Sequence, residues 1–116
     1  MTLPLSIEML ESAYDYFRAT PPFRRWNLPE PEDITFKVGK DPSCYGWFDK
    51  KKKKPTIAIS TALVGHTQTL METMAHEMIH LHEDMRGWRR GGEHSAAFRK
   101  WAQLVCKIHG FDPKGF

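Results

Sequence analysis

The chain is poor in cysteine: it holds only Cys44 and Cys106, far apart, neither in a CxxC pair. That excludes a disulfide framework and a zinc ribbon, and both side chains are expected to be buried thiols. Long apolar runs are missing as well. No stretch approaches the ~20 residues that cross a bilayer, so a membrane-spanning helix is excluded. The opening "MTLPLSIEML" has no basic segment leading into an apolar one, and the expectation is a cytoplasmic protein with no membrane partner. No internal repeat is present, and the lone low-complexity segment is "KKKKK" at residues 50–54. Net charge is small, +3, and much of the excess comes from that run. What remains is ordinary for a folded protein: 41% apolar and 27% charged residues in 116 positions, enough for one core and one domain over residues 1–116.

Hydrophobic spacing outlines the elements. Ile7, Leu10, Tyr14 and Phe17 recur at three- and four-residue steps, which predicts a helix capped by Ser6 and ended by "TPP" at residues 20–22. After the proline-rich "NLPEPED", Ile34, Phe36 and Val38 alternate with Thr35 and Lys37 as in a half-buried strand. "CYGWF" and "TIAIS" read as two more strands, giving a three-strand meander with the lysines in its loop. Thr67 to about Asp84 should be a helix striped by Leu70, Met74, Met78 and Leu81, with Thr69 and Glu72 as a capping box. "RGWRRGGE" then links to a last helix that starts near His94 or Ser95 and ends at Gly110. Its buried face is expected to carry Phe98, Trp101, Val105 and Ile108.

Histidine is comparatively abundant, with six residues, and two of them stand four apart in "AHEMIH": His76 and His80, with Glu77 directly after the first. Composition alone would yield such an HExxH roughly 0.02 times in this chain, so coincidence explains it poorly. On a helix, four residues turn through ~400°, which leaves the two imidazoles ~40° apart on one face and able to aim at a single ion. Glu77, ~100° round from His76, reaches a water beside that ion without binding the ion itself, as a metal-assisted hydrolase requires.

A catalytic zinc site has three protein ligands and an open position. The longer HExxHxxGxxH pattern does not supply the third, because Glu83 stands at its Gly and Arg86 at its last His. His82 is two residues from His80 and points to another face, and Glu83 lies too near the second ligand's own turn to close a tetrahedron. Beyond the linker stand Glu93 and His94, at the N-terminal end of a helix that would return beside the ion if packed antiparallel. Either a His-His-His or a His-His-Glu set is chemically sound.

Together, "LMETMAHEMIHLHED" and "EHSAAFRKWAQLV" resemble the SprT-like metalloprotease family, which includes the Spartan proteases that degrade proteins crosslinked to DNA. The likeness extends upstream through "LPEPEDITFKV", "CYGWF" and "TIAISTALV", over roughly residues 10–105. HExxH followed fourteen residues later by His94, with Phe98 and Trp101 beyond, is a specific combination. The resemblance implies an α+β fold: a small zincin-like domain with an N-terminal helix, a three-stranded sheet, an HExxH active-site helix and a C-terminal helix. It implies zinc on His76, His80 and His94, with Glu77 as general base and acid. Ser95 stands where the family's HGxxF motif has Gly, although Ser caps a helix well. No cysteine-rich zinc module follows, so recruitment to DNA would fall to this domain or to a partner.

The expected activity is peptide-bond hydrolysis by a zinc-activated water, on a protein or peptide substrate and, by the resemblance, on DNA-associated proteins. Arg89, Arg90, His82 and Tyr45 are conceivable oxyanion donors, and no spacing selects among them. An extended substrate could add to the sheet edge. The alternative is a DNA-binding or protein-interaction module with a structural or vestigial zinc site. DNA would be held through Lys50, Lys51, Lys52, Lys53, Lys54, Arg86, Arg89 and Arg90, with Trp47 and Trp88 stacking on bases. Tyr14, Phe17, Phe98 and Trp101 read as core.

Overall fold

The computed structural model describes residues 4–50, 54–87 and 94–116. Lys51, Lys52, Lys53, Trp88, Arg89, Arg90 and Glu93 lie outside these residues. Among the described residues the fold is a small α+β arrangement of three α-helices and a three-stranded sheet. Helix α1 (Ile7–Arg18) opens on Ser6, whose Oγ accepts from the Met9 N–H at 3.2 Å, as its cap should. Leu10, Tyr14 and Phe17 are fully buried on one face. Tyr14 settles its polar end by donating to the Pro29 carbonyl at 2.6 Å, which ties the proline-rich connector to α1. Burial pushes the Tyr14 hydroxyl far above its ordinary pKa, so it stays a donor.

The strands are β1 (Thr35–Gly39), β2 (Gly46–Asp49) and β3 (Thr56–Ser60). They do not form the expected meander. Their order is β1-β3-β2, with β1 parallel and β2 antiparallel to the central β3. Burial explains the difference. Ile57, Ala58, Ile59 and Ser60 are all fully buried, so both faces of β3 are covered, as in a central strand. β1 alternates between exposed and buried at its start and β2 is half-buried throughout, which suits the two edges.

One glycine sets how closely the sheet approaches the next helix. A Cβ on Gly46 would lie 2.6 Å from the Ala58 carbonyl oxygen and 2.9 Å from Cγ2 of Thr73. Its bare backbone therefore lets edge strand β2 rest directly on α2 (Thr67–Arg86).

Leu70, Met74, Met78 and Leu81 form the buried stripe of α2, as their spacing predicts. Its capping differs: His66 is the N-cap, without a side-chain hydrogen bond, and no Thr69–Glu72 capping box forms. Thr69 already lies inside the helix, whereas a capping hydroxyl must stand just outside it. Gly87, at φ 71°, ends the helix in the left-handed region.

Helix α3 (Ala96–His109) opens on Ser95, which accepts from the Phe98 N–H at 3.2 Å, and closes on Gly110. Phe98 and Val105 are buried as expected and Trp101 is half-buried, but Ile108 is 42% exposed. At 100° per residue the buried face centres between Phe98 and Cys106, which leaves Ile108 on the far flank. The buried apolar side chains of α1, the sheet, α2 and α3 join in a cluster. No described helix is long and apolar enough to cross a membrane.

Candidate metal centre

Two turns of α2 and the entry to α3 converge on one spot. His76 and His80 follow one another along α2, with ring centroids 5.0 Å apart. His94, just ahead of the Ser95 cap, brings its ring 5.0 Å from His76 and 5.5 Å from His80, stacked on the latter. One nitrogen from each of the three lies within 4.8 Å of the others, an arrangement that could hold a metal ion. The α2 helix would thus supply two ligands by its own periodicity, and the residue ahead of the α3 cap would supply the third.

Three imidazoles suit zinc by chemistry, and one pair of them already stands at its spacing. In a tetrahedral site with Zn–N bonds of about 2.0–2.1 Å, neighbouring nitrogens stand about 3.3 Å apart. Nε2 of His94 is 3.2 Å from Nε2 of His76. Two nitrogens at that distance cannot both carry a proton, so at least one already presents a lone pair to the gap.

Other groups orient the rings. Nδ1 of His76 is 3.0 Å from the Phe116 carbonyl oxygen, which can only accept, so the proton sits on Nδ1 and the lone pair on Nε2. Phe98 stacks on His80 at 4.4 Å and on His94 at 4.7 Å, and meets His76 edge-on at 4.9 Å. Phe98 is buried as a core residue should be, yet its ring also backs all three imidazoles. Glu83 is 1% exposed, with Oε1 3.7 Å from His80 Nδ1 and Oε2 accepting from the Ser95 hydroxyl at 3.0 Å.

The rings of His76 and His94 open onto a cavity of about 610 Å³ lined also by Glu77, Gly46 and residues 114–116, while His80 is buried behind them. Glu77 is 4% exposed on this wall, beside the histidines as its place in the motif demands. Cys44 is not the buried thiol expected of it: it is half-buried on the same wall, because β2 lies at the sheet edge facing α2. Burial first, then the negative charge of Asp41, raises its pKa and keeps it a thiol.

Among the conceivable oxyanion donors, Tyr45 lines the cavity and is 55% exposed. His82 does not reach it. Its ring is stacked on Trp26 at 3.9 Å, with Trp101 edge-on at 5.5 Å, and is 2% exposed. Burial, helped by the positive charge of Arg86, lowers its pKa from 6.5 to about 4. Arg89, Arg90 and the alternative ligand Glu93 fall outside the described residues.

A family model described as the SprT-like family matches residues 14–114, most of the chain. The chain belongs to the SprT-like family. No curated protein matches it at a significant level. In this SprT-like chain, spacing weighs Glu83 only as a ligand and Phe98 reads as core, and the Phe116 carbonyl is the neighbour of the site that spacing arguments passed over. The supporting place of Glu83 had a readable signal, since it stands three residues after His80 on the same helix face.

Proposed function

We propose that the chain is a zinc-dependent peptidase, a zincin-like SprT-like domain over residues 1–116 that cleaves peptide bonds, with DNA-associated proteins as its substrates. The carrying observation is the three-imidazole group, two of whose rings share a cavity wall with the buried Glu77. His76, His80 and His94 would hold the ion, which supplies Lewis acidity to acidify a water and polarise a carbonyl. Glu77 takes the proton from the attacking water and returns it to the leaving amine. Strand β2 is an edge with Gly46 on the cavity wall, so an extended substrate can pair with it and pass Glu77. Cys44 and Cys106 are unpaired, which suits a reducing cytoplasmic setting.

The test is zinc content and cleavage of an unfolded protein by wild type and Glu77→Gln. We expect equal zinc and a loss of about a hundred- to ten-thousandfold in rate. Equal rates would remove Glu77 from the mechanism, and zinc-free wild type would remove the metal.

DNA association is a second reading, favoured by one contact. Lys50 Nζ is 3.1 Å from Asp84, two residues before Arg86, so the roots of the lysine run and the arginine linker stand together. The cations offered to phosphates would be Lys50, Lys54 and Arg86, with Lys51, Lys52, Lys53, Arg89 and Arg90 beside them in the sequence. Trp47 has its indole over Gly39, where a Cβ would come within 2.5 Å of the ring, so it is packed on the sheet. Single-stranded DNA binding should weaken steeply with salt. Binding that persists after the lysines are replaced would sink this reading.

A further inference from the structure

Glu83 is a carboxylate buried to 1% exposure next to a histidine that is 2% exposed. Such burial is costly unless the group is held by partners. Its two oxygens divide between two elements: Oε1 approaches His80 Nδ1 at 3.7 Å on α2, and Oε2 accepts from Ser95 Oγ at 3.0 Å on the cap of α3. Ser95 is the residue after His94. One carboxylate thus joins the second α2 histidine to the cap that carries the third histidine.

The chemistry at Ser95 is exacting. Its oxygen accepts the Phe98 N–H at 3.2 Å as the helix cap, and its single proton goes to Glu83. Asp at this position could cap but has no proton to give, and Gly has no hydroxyl. Ser or Thr alone does both, which accounts for a hydroxyl residue where the SprT-like pattern has glycine.

At 3.7 Å the contact at His80 is electrostatic rather than a formed hydrogen bond, and a negative carboxylate facing Nδ1 favours the proton there and the lone pair on Nε2. His76 is set the same way by the Phe116 carbonyl, and His94 meets it through Nε2. We propose that Glu83, anchored by Ser95, is a positioning residue that presets His80 as an Nε2 ligand and fixes the spacing between the metal-binding turns of α2 and α3. The proposal rests on the zinc reading above.

The test uses the full chain. Long-range nitrogen–proton spectra of the metal-free protein give the His80 tautomer, and competition with a chromogenic chelator gives zinc affinity, for wild type, Glu83→Leu, Glu83→Gln, Ser95→Gly and Ser95→Thr. We expect His80 protonated at Nδ1 in wild type. Glu83→Leu and Ser95→Gly should bind zinc about ten- to hundredfold more weakly, while Ser95→Thr keeps wild-type affinity. Glu83→Gln keeps an oxygen to accept from the Ser95 hydroxyl and should melt close to wild type without metal, yet its neutral amide holds the His80 proton less firmly, so zinc affinity should still fall. A purely structural role would leave the zinc affinity of Glu83→Gln unchanged. If Glu83→Leu does not fold, the Ser95 pair decides. Wild type that binds zinc no more tightly than Ser95→Gly and Glu83→Leu, or His80 protonated at Nε2, overturns the role of Glu83 and leaves the metal site standing. Wild type that binds no zinc overturns both.

Discussion

Eighteen positions apart in the chain, His76 and His94 meet Nε2 to Nε2 at 3.2 Å. The contact joins the middle of α2 to the residue ahead of the α3 cap, so the linker between them is closed by histidine. This contact sets His94 beside the α2 pair, and it is the reason for proposing His94 ahead of Glu93 as third ligand. His94→Ala should therefore lose zinc by more than the ten- to hundredfold typical of an outer partner, whereas Glu93→Ala should bind as the parent does. Metal content after dialysis against a weak chelator checks it. Zinc retained by His94→Ala and lost by Glu93→Ala would move the third ligand to the carboxylate.

Gly46 lets the edge strand press on α2, and Gly46→Ala should show what that closeness is worth. The added Cβ would meet the Ala58 carbonyl oxygen at 2.6 Å and Thr73 Cγ2 at 2.9 Å, the first being backbone that cannot step aside. Overpacking of this kind costs about 1–3 kcal/mol. A thermal melt should fall by several degrees, and the cavity wall beside Glu77 should shift with β2. An unchanged melting temperature would mean that the sheet and helix give way freely.

Much of this was legible in the residues, and the exceptions have physical causes. Ser6, Ser95 and Gly110 were readable as helix ends because capping chemistry is local. The histidine pair of α2 was readable because helical periodicity alone puts it on one face. Strand order was not, since pairing is decided by burial of a whole strand: the continuous run Ile57, Ala58, Ile59 marks the centre, while local turns suggested a meander. The contact of Glu83 with Ser95 and that of the Phe116 carbonyl with His76 were missed for a related reason. Each acts through a partner in another part of the fold, Ser95 or His76, and a backbone carbonyl has no signature in sequence at all.

His82 should give the fold a sensitivity to mild acid. Buried between Trp26 and Trp101, it has a folded pKa lowered from 6.5 to about 4, so the folded state binds fewer protons than the unfolded chain. Its contribution is therefore whole above pH 6.5 and lost as pH falls from there toward 4, by at most about 3 kcal/mol. His82→Phe keeps an aromatic ring on Trp26 and removes the titration. Urea denaturation of the metal-free proteins at pH 8 and pH 5 should show wild type losing more stability than His82→Phe. Equal losses would assign the acid sensitivity to other histidines.

The backbone oxygen of Phe116 ties residues 114–116 to the candidate metal centre. It stands 3.0 Å from His76 Nδ1, the Phe116 ring packs against that imidazole at 5.4 Å, and residues 114–116 line the cavity. Removing residues 113–116 takes away the acceptor that holds the proton on Nδ1, and it frees the His76 ring to turn. Zinc affinity should drop by about ten- to hundredfold. The helical signal should hold, because Gly110 already ends α3 before the cut. Replacing Phe116 with Leu keeps the carbonyl and should restore most of the affinity. If the shortened chain binds zinc as tightly as the parent, the orientation of His76 comes from Phe98 and the helix alone.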